Sequence, residues 1–124
     1  MPKLRPVYLV EDNPTLRESL IDALTELSKA RVVAYSDNEA DAINWLAVYS
    51  HTVDLVILDI HLPAGSGYSI LRQMRKAKLT HPIVVLTNNA TPEVRQLCLA
   101  AGATEFFDKT TEQDAFFAYV AQGR

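Results

Sequence analysis

The sequence predicts an α/β fold in which five β-strands alternate with five α-helices. Two observations lead to this prediction. Short apolar segments rich in β-branched residues recur along the 124 residues, and each is followed by a stretch whose apolar residues have helical spacing. The first four apolar segments are continuous rather than alternating, which is typical of strands that are covered on both faces of a parallel sheet.

The predicted elements follow one another along the whole chain. The strands are expected at residues 7–10, 32–35, 55–58, 83–86 and 105–107, the last being the weakest. Each is followed by a helix whose apolar face repeats every three or four residues. These faces are formed by Leu16, Leu20, Leu24 and Leu27, then Ala42, Trp45, Leu46 and Tyr49, then Ile70, Met74 and Ala77, then Val94, Leu97, Cys98 and Ala101, and finally Phe116, Phe117 and Val120.

Residues that favour helix ends agree with these positions. Thr91 is a good N-cap in front of Pro92, since proline suits the first helical turn. Ser36 and Glu39 have the spacing of a capping box at the start of the second helix. Gly102 follows the fourth helix, where a left-handed residue commonly ends a helix.

Strand–helix–strand units form parallel sheets with right-handed crossovers. The chain is too short for an eight-stranded barrel, which needs about 250 residues. We therefore expect an open, doubly wound (βα)5 fold with the flavodoxin-like strand order 2-1-3-4-5. In such a sheet, ligands bind at the carboxyl ends of the first and third strands, where the strand order reverses.

Composition sets limits on the class of protein. Fifteen acidic against twelve basic residues give a net charge of −3, which argues against a protein that binds nucleic acid directly. A hydrophobic content of 48% and a charged content of 22% exclude a disordered chain. The longest apolar run, 115–121, is far shorter than the roughly 20 residues of a membrane span. The lone Cys98 can form no internal disulfide, which favours a reducing, cytoplasmic location. The length of the chain predicts one domain over residues 1–124.

Acidic residues follow two strands that the predicted order makes neighbours. Glu11 and Asp12 come after the first strand, and Asp59 comes after the third. Three carboxylates that meet at one edge of a sheet repel one another unless a cation lies between them. Hard carboxylate oxygens suit Mg²⁺, which also leaves room for phosphate oxygens. The sequence therefore predicts a magnesium site at this edge.

Two further polar residues belong to the same edge. Thr87 ends the fourth strand and Lys109 follows the fifth, so a hydroxyl and a positive charge face the carboxylates. Asp59 lies between the acidic pair and the lysine, which makes it the best candidate nucleophile. Carboxylates can accept a phosphoryl group to form an aspartyl phosphate, and a metal with a lysine would neutralise its charge.

The residues around this edge resemble the receiver domain of two-component response regulators, over essentially the full chain. Four motifs carry the resemblance, in the family's order and at its intervals. They are Val-Glu-Asp-Asn at 10–13, Asp-Ile-His-Leu-Pro-Ala-Gly-Ser-Gly at 59–67, Pro-Ile-Val-Val-Leu-Thr at 82–87, and Ala-Gly-Ala-Thr-Glu-Phe-Phe-Asp-Lys at 101–109.

The resemblance implies a role for each residue of the site. Asp59 would accept a phosphoryl group from a phosphohistidine on a sensor histidine kinase or a phosphotransfer protein. Glu11, Asp12 and Asp59 would hold Mg²⁺ together with the backbone carbonyl of His61, and Lys109 would contact the phosphoryl oxygens. Like its relatives, the domain would catalyse its own phosphorylation and the hydrolysis of the product.

The resemblance also implies a switch. Thr87 would move to hydrogen-bond the phosphoryl group, and the ring of Phe106 would follow into the vacated space. This would change the surface of the fourth helix, the fifth strand and the fifth helix, which in the family contacts an output partner or a second copy. The sequence leaves open the cognate kinase, the output and the presence of a further output domain.

Four positions depart from the commonest family pattern, of which Glu11 in place of aspartate is a common variant. Asn88 stands where a small residue is usual, which puts any default lifetime of the phosphorylated form in doubt. Phe106 replaces a frequent tyrosine, so the switch would lack a hydroxyl. Thr110 stands where proline often follows the lysine, which leaves open the geometry of the Lys109–Thr110 peptide bond.

Three alternative functions fit the residues less well. An aspartate phosphatase usually carries its nucleophile and a second acid two residues apart after the first strand, a pattern absent here. A phosphorylation-independent scaffold usually loses an acidic residue or the lysine, and Glu11, Asp12, Asp59 and Lys109 are all present. A flavin-binding protein would need a Ser/Thr/Gly-rich phosphate loop after the first strand, where Glu-Asp-Asn-Pro stands instead.

Overall fold

Five parallel strands form a single sheet in the order β2-β1-β3-β4-β5, as the sequence predicts. The computed structural model describes residues 4–88 and 90–122. Its strands are β1 (Arg5–Val10), β2 (Ala30–Ser36), β3 (Leu55–Leu58), β4 (Ile83–Thr87) and β5 (Glu105–Asp108). Its helices are α1 (Pro14–Ser28), α2 (Glu39–Tyr49), α3 (Gly67–Lys76), α4 (Pro92–Ala100) and α5 (Gln113–Ala121), with one 3-10 turn at Ser50–Thr52.

The strand register brings the carboxyl ends of four strands to one edge of the sheet. Val10 of β1 pairs with Leu58 of β3, and Thr87 of β4 pairs with Asp108 of β5. The N–H of Asp59 still donates to the carbonyl of Val10 over 3.1 Å, one residue beyond β3. The residues that follow these strands therefore start from the same edge of the sheet.

A hydrophobic core lies on each face of the sheet. On one face, Tyr8 and Val10 pack with buried residues of α2, α3 and α4. On the other face, Val7 and Leu9 pack with buried residues of α1 and α5. Because successive strand residues point to opposite faces, continuous apolar strands supply both cores. Cys98 is buried in the first core, as its place on the helical stripe predicts.

Tyr8 joins β1 to α2 and β2. Its ring stacks on Trp45 with centroids 4.2 Å apart and an interplanar angle of 2°. Its hydroxyl forms a buried hydrogen bond with the hydroxyl of Ser36. Burial raises the pKa of Tyr8 to about 12, so the phenol stays neutral at physiological pH. The indole of Trp45 thus packs α2 against the sheet, as the sequence predicts.

The helix ends agree with the predictions at α4 and differ from them at α2. Thr91 caps α4 by accepting the N–H of Val94 over 3.1 Å, and Gly102 adopts a left-handed φ of +110° just after that helix. The predicted cap of α2 by Ser36 is wrong. Asn38 caps this helix instead, because Ser36 is still part of β2 and its hydroxyl bonds to Tyr8. No helix in the described part of the chain is long and apolar enough to cross a membrane.

The apolar stripe of α1 provides a test of these packing assignments. Leu24 is 0% exposed, whereas Leu27 is 61% exposed although the same periodicity selects both. We expect Leu24→Ala to lower the free energy of unfolding by about 3 kcal/mol, since it leaves a cavity under α1. Leu27→Ala is the matched control and should change it by no more than about 0.5 kcal/mol. Urea unfolding of both variants measures the difference, and equal losses would contradict the assignment.

Candidate functional site

Three carboxylates meet at the carboxyl edge of the sheet. Glu11 and Asp12 leave β1 and Asp59 leaves β3, and one oxygen from each lies within 4.8 Å of the others. Glu11 is 2% exposed and Asp59 is 8% exposed, whereas Asp12 is half-buried. A set of closely spaced carboxylate oxygens, partly open to solvent, fits a hard divalent cation such as Mg²⁺. The structure therefore brings together the three acidic residues that the sequence selects.

Lys109 directly follows β5, and its side chain reaches this cluster from the β5 side of the site. Its Nζ donates to Oε1 of Glu11 over 2.5 Å and to Oδ2 of Asp59 over 2.7 Å. Burial alone would lower the pKa of Lys109, but the bonds to Asp59 and Glu11 outweigh it and raise this pKa. The ammonium group therefore stays charged and offsets the negative charge of the carboxylates.

Glu11 is under two opposing influences. Burial raises its pKa, and the ammonium of Lys109 with the N–H of Asn13 opposes that shift only in part. The N–H of Asn13 lies 3.2 Å from Oε2 of Glu11. Glu11 therefore depends on Lys109 for its charge more than an exposed carboxylate would.

The loop after β3 approaches the cluster closely. We call residues 60–66 the acceptor loop. The N–H of His61 donates to Oδ1 of Asp59 over 3.2 Å, and the N–H of Gly67 donates to the carbonyl of Ile60 over 3.0 Å. A Cβ at Gly67 would lie 1.9 Å from the backbone oxygen of Asp59, so only glycine fits there. The His61 side chain is exposed, and the metal-binding role of its carbonyl stays a prediction.

The start of α1 contributes a residue that the sequence analysis missed. Nη1 of Arg17 donates to the carbonyl of Glu11 over 3.0 Å, and its guanidinium lies 4.1 Å from the centroid of Tyr35. Asn13 caps α1 through the N–H of Leu16. The only signal in the sequence is an arginine one turn into a helix that begins directly after the acidic pair. Arg17 holds the backbone of this pair in place.

The residues after β4 and β5 line the opposite side of the site. Thr87 is fully buried at the end of β4, and the exposed Asn88 follows it. The hydroxyl of Thr110 lies 3.5 Å from Oδ1 of Asn88, so the two atypical residues contact each other. The described residues contain no cis peptide bond, and Lys109–Thr110 is accordingly trans.

Phe106 lies inside the protein, 1% exposed, in the core shared with α3 and α4. The guanidinium of Arg95 lies 5.7 Å from the centre of its ring, and Nη1 donates to the carbonyl of Phe106 over 3.2 Å. Oε1 of Glu112 accepts the N–H of Asp108 over 3.1 Å and lies 3.7 Å from Nη1 of Arg95. Arg95 and Glu112 thus join α4 to the loop before α5 across β5.

A cleft of about 560 Å³ opens beside Lys109. It lies between α1 and α5, and its walls include apolar side chains of both helices, with Asn88 and Thr110 at the end near the site. The exposed Leu27 is one of its lining residues. An apolar surface therefore adjoins the acidic cluster.

Comparisons with known proteins agree with the fold. Residues 7–121 match the model of the response regulator receiver domain. The chain is 37% identical over 103 residues to the transcriptional regulatory protein PmrA of Pectobacterium parmentieri, covering 83% of this chain and 45% of PmrA. It is 32% identical over 109 residues to the sensor histidine kinase RcsC of Salmonella typhi, covering 88% of this chain and 11% of RcsC. The chain therefore spans between about a tenth and about half of the length of these relatives.

Solved structures give the same result. The BeF3-activated N-terminal receiver domain of RstA from Klebsiella pneumoniae superposes with a TM-score of 0.80 at 29% identity, covering 96% of this chain and 97% of that one. A signal receiver domain from Mycobacterium tuberculosis superposes with a TM-score of 0.84 at 25% identity, covering 99% of this chain and 100% of that one. The fold and site define a phosphoacceptor signalling domain. The chain belongs to the receiver domain family of two-component response regulators.

The ion pairs of Lys109 make a testable prediction about stability. We expect Lys109→Met to lower the free energy of unfolding by about 3 kcal/mol in EDTA, because it leaves Glu11 and Asp59 buried without their cation. Added Mg²⁺ should recover more stability in the variant than in the wild type. Urea unfolding with and without Mg²⁺ measures both effects.

The pH dependence of this loss has a definite sign. Without Lys109, the pKa of Glu11 should rise further above its value in the unfolded chain, so the folded state binds protons more readily. Stability is then retained below the ordinary carboxyl range and lost as the pH rises through the folded-state pKa. The gap to the wild type should therefore shrink in acid. Lys76→Met, at an exposed lysine of α3, is the control, and an equal loss in both variants would contradict the prediction.

Proposed function

We propose that this domain is a Mg²⁺-dependent phosphorylation switch in which Asp59 accepts a phosphoryl group from a phosphohistidine. One observation carries the proposal: Glu11, Asp12 and Asp59 meet at one edge of the sheet beside the buried ammonium group of Lys109. Such an edge attracts a divalent cation and then a phosphoryl group, whose oxygens the cation and the ammonium can share.

The transfer itself is a single displacement at phosphorus. A carboxylate oxygen of Asp59 forms a bond to phosphorus while the bond between phosphorus and the donor imidazole nitrogen breaks. The histidine nitrogen keeps the electron pair, and the product on Asp59 is an acyl phosphate. When bound, Mg²⁺ would supply charge neutralisation for the transferred oxygens.

The chain's own residues divide the remaining work. Glu11, Asp12 and Asp59, with the carbonyl of His61, would hold the cation. Lys109 would exchange its carboxylate contacts for contacts with the new phosphoryl oxygens. The hydrolysis that resets the switch would use water as the nucleophile, break the bond between Asp59 and phosphorus, and release inorganic phosphate.

The output would arise at the surface of α4, β5 and α5. The hydroxyl of Thr87 would move to donate to a phosphoryl oxygen, and the ring of Phe106 would follow into the space that Thr87 vacates. Three strong acceptor oxygens and about −1.5 to −2 units of charge on Asp59 would thereby bias the arrangement of Thr87 and Lys109. A second copy of the domain is one candidate occupant of this surface.

The partner that supplies the phosphoryl group is proposed to be a sensor histidine kinase or a phosphotransfer protein. The apolar cleft between α1 and α5 adjoins Lys109, which supports docking of a helical partner there. The net charge of −3 argues against direct binding of nucleic acid by this domain. Residues 1–124 would act as one receiver domain in the cytoplasm, where the free thiol of Cys98 is stable, and the output would belong to a partner or to another domain.

The proposal is tested by intact-mass spectrometry after incubation with acetyl phosphate. The wild type should gain one phosphoryl adduct with Mg²⁺ and none in EDTA. Asp59→Asn should gain none, because the amide cannot form the acyl phosphate. Asp54→Asn, at an exposed aspartate before β3, is the matched control and should behave as the wild type.

The other outcomes decide against the proposal. An adduct that persists in Asp59→Asn would place the acceptor elsewhere. If acetyl phosphate gives no adduct, the same assay with a phosphorylated histidine kinase domain as donor follows, and failure of that transfer would reject the switch in favour of a phosphorylation-independent scaffold.

A further inference from the structure

Glu39, the first residue of α2, forms hydrogen bonds with residues far from it along the chain. Oε1 of Glu39 accepts the backbone N–H of Ser66 over 2.9 Å, and Oε2 accepts the hydroxyl of Ser69 over 3.0 Å. The N–H of Glu39 donates to the carbonyl of Ala64 over 3.1 Å. One residue of α2 thus bonds to three groups in the acceptor loop and the first turn of α3.

These contacts replace the local role that the sequence predicts for Glu39. A capping box would direct its carboxylate back to the start of its own helix. Because Asn38 caps α2 through the N–H of Asp41 over 2.9 Å, the carboxylate of Glu39 is available to a distant partner. It bonds to residues 27 and 30 positions further along the chain.

The bonded groups are close to the acceptor aspartate along a short path. Ser66 forms an isolated antiparallel bridge with His61, and the N–H of His61 bonds to Oδ1 of Asp59. The hydroxyl of Ser66 also caps α3 through the N–H of Ser69 over 3.1 Å. Holding Ser66 therefore holds the strand of the loop that carries His61.

The packing of the loop tip supports the same connection. Gly65 has a left-handed φ of +88°, and a Cβ there would lie 2.4 Å from Cβ and Oε1 of Glu39. The loop tip thus fits directly against the Glu39 side chain. A loop of seven residues with one left-handed glycine would otherwise be free to change conformation.

We propose that Glu39 is a positioning residue that clamps the acceptor loop, so that the groups at 59–61 keep the geometry needed by Mg²⁺ and the phosphoryl donor. This inference rests on the proposed function of Asp59. Glu39 touches neither the metal nor the transferred group; it acts through Ser66 and the bridge to His61.

Two substitutions separate the hydrogen bonds from the charge. Glu39→Ala removes both acceptors. Glu39→Gln keeps an oxygen for the N–H of Ser66, and its amide can donate to the hydroxyl of Ser69, so the clamp stays while the charge is lost. Glu93→Ala is the matched control, since Glu93 is an exposed acid in the first turn of α4.

Three measurements on each variant test the proposal. Calorimetric titration with Mg²⁺ alone gives the dissociation constant. Two-dimensional NMR of the metal-free protein gives the amide shifts of His61 and Ser66, which report the loop without any activity. The rate of adduct formation from acetyl phosphate is then measured as a function of Mg²⁺ concentration.

We expect Glu39→Ala to weaken Mg²⁺ binding about tenfold, the lower end of the effect of groups that orient metal ligands. The amides of both Ser66 and His61 should shift, and the phosphorylation rate should be slower mainly at low Mg²⁺. Glu39→Gln should stay within about twofold of the wild type, and Glu93→Ala should match it.

Other results overturn the inference. Wild-type Mg²⁺ affinity and rate in Glu39→Ala, or equal defects in the alanine and glutamine variants, would show that the clamp does not position the site. If Glu39→Ala fails to fold, Ser69→Ala removes one bond of the clamp, and an unchanged Mg²⁺ affinity and His61 amide there count against it. Failure of the proposed function gives a different result. The wild type would then form no adduct, while Glu39→Ala would still bind Mg²⁺ more weakly than the wild type.

Discussion

The ammonium group of Lys109 is the charge on which the site depends. Glu11 and Asp59 are nearly buried within one small region, and two such carboxylates repel each other unless a cation lies between them. Lys109 provides this cation from β5, at the opposite side of the site from β1. The site is therefore neutralised in part by the protein itself, and a divalent metal or a phosphoryl group has to share or exchange these contacts. The ammonium of Lys109 thus occupies carboxylate contacts that a bound metal or phosphoryl group would take over.

The parallel sheet allows these charges to lie at one edge while the hydrophobic cores stay intact. Its continuous apolar strands supply a core to each face, and the three carboxylates and Lys109 lie in the segments that follow the strands. The register then aligns those positions at one edge. Residues separated by almost a hundred positions, such as Glu11 and Lys109, meet because both strands end at the same edge of the sheet. Packing and chemistry thus occupy different parts of every strand–helix unit.

Much of the fold and of the site follows from local patterns in the sequence. Continuous apolar runs predict the first four strands, a weaker signal predicts the fifth, and the strand order then brings Glu11, Asp12, Asp59 and Lys109 together. Periodicity selects the inner face of a helix without fixing how much of that face is covered, which explains the exposure of Leu27.

The contacts of Arg17, Glu39 and Arg95 could not be predicted in this way. Each depends on a backbone group that only the tertiary structure brings near, such as the N–H of Ser66 for Glu39. The incorrect prediction that Ser36 caps α2 has the same origin. The hydroxyl of Ser36 bonds to Tyr8 of the neighbouring strand and not to the start of α2. Local spacing identifies candidate partners, and tertiary packing decides between them.

The pair formed by Arg95 and Glu112 has a consequence for how other proteins meet β5. This strand lies at the end of the sheet, and its outward carbonyl at Phe106 and outward N–H at Asp108 are already taken by these two side chains. An extended segment from a neighbour would have to displace both before it could pair with the backbone. Recognition at this border is thereby left to side chains on the flanking helices, and unintended sheet extension between molecules is blocked by a single pair of opposite charges.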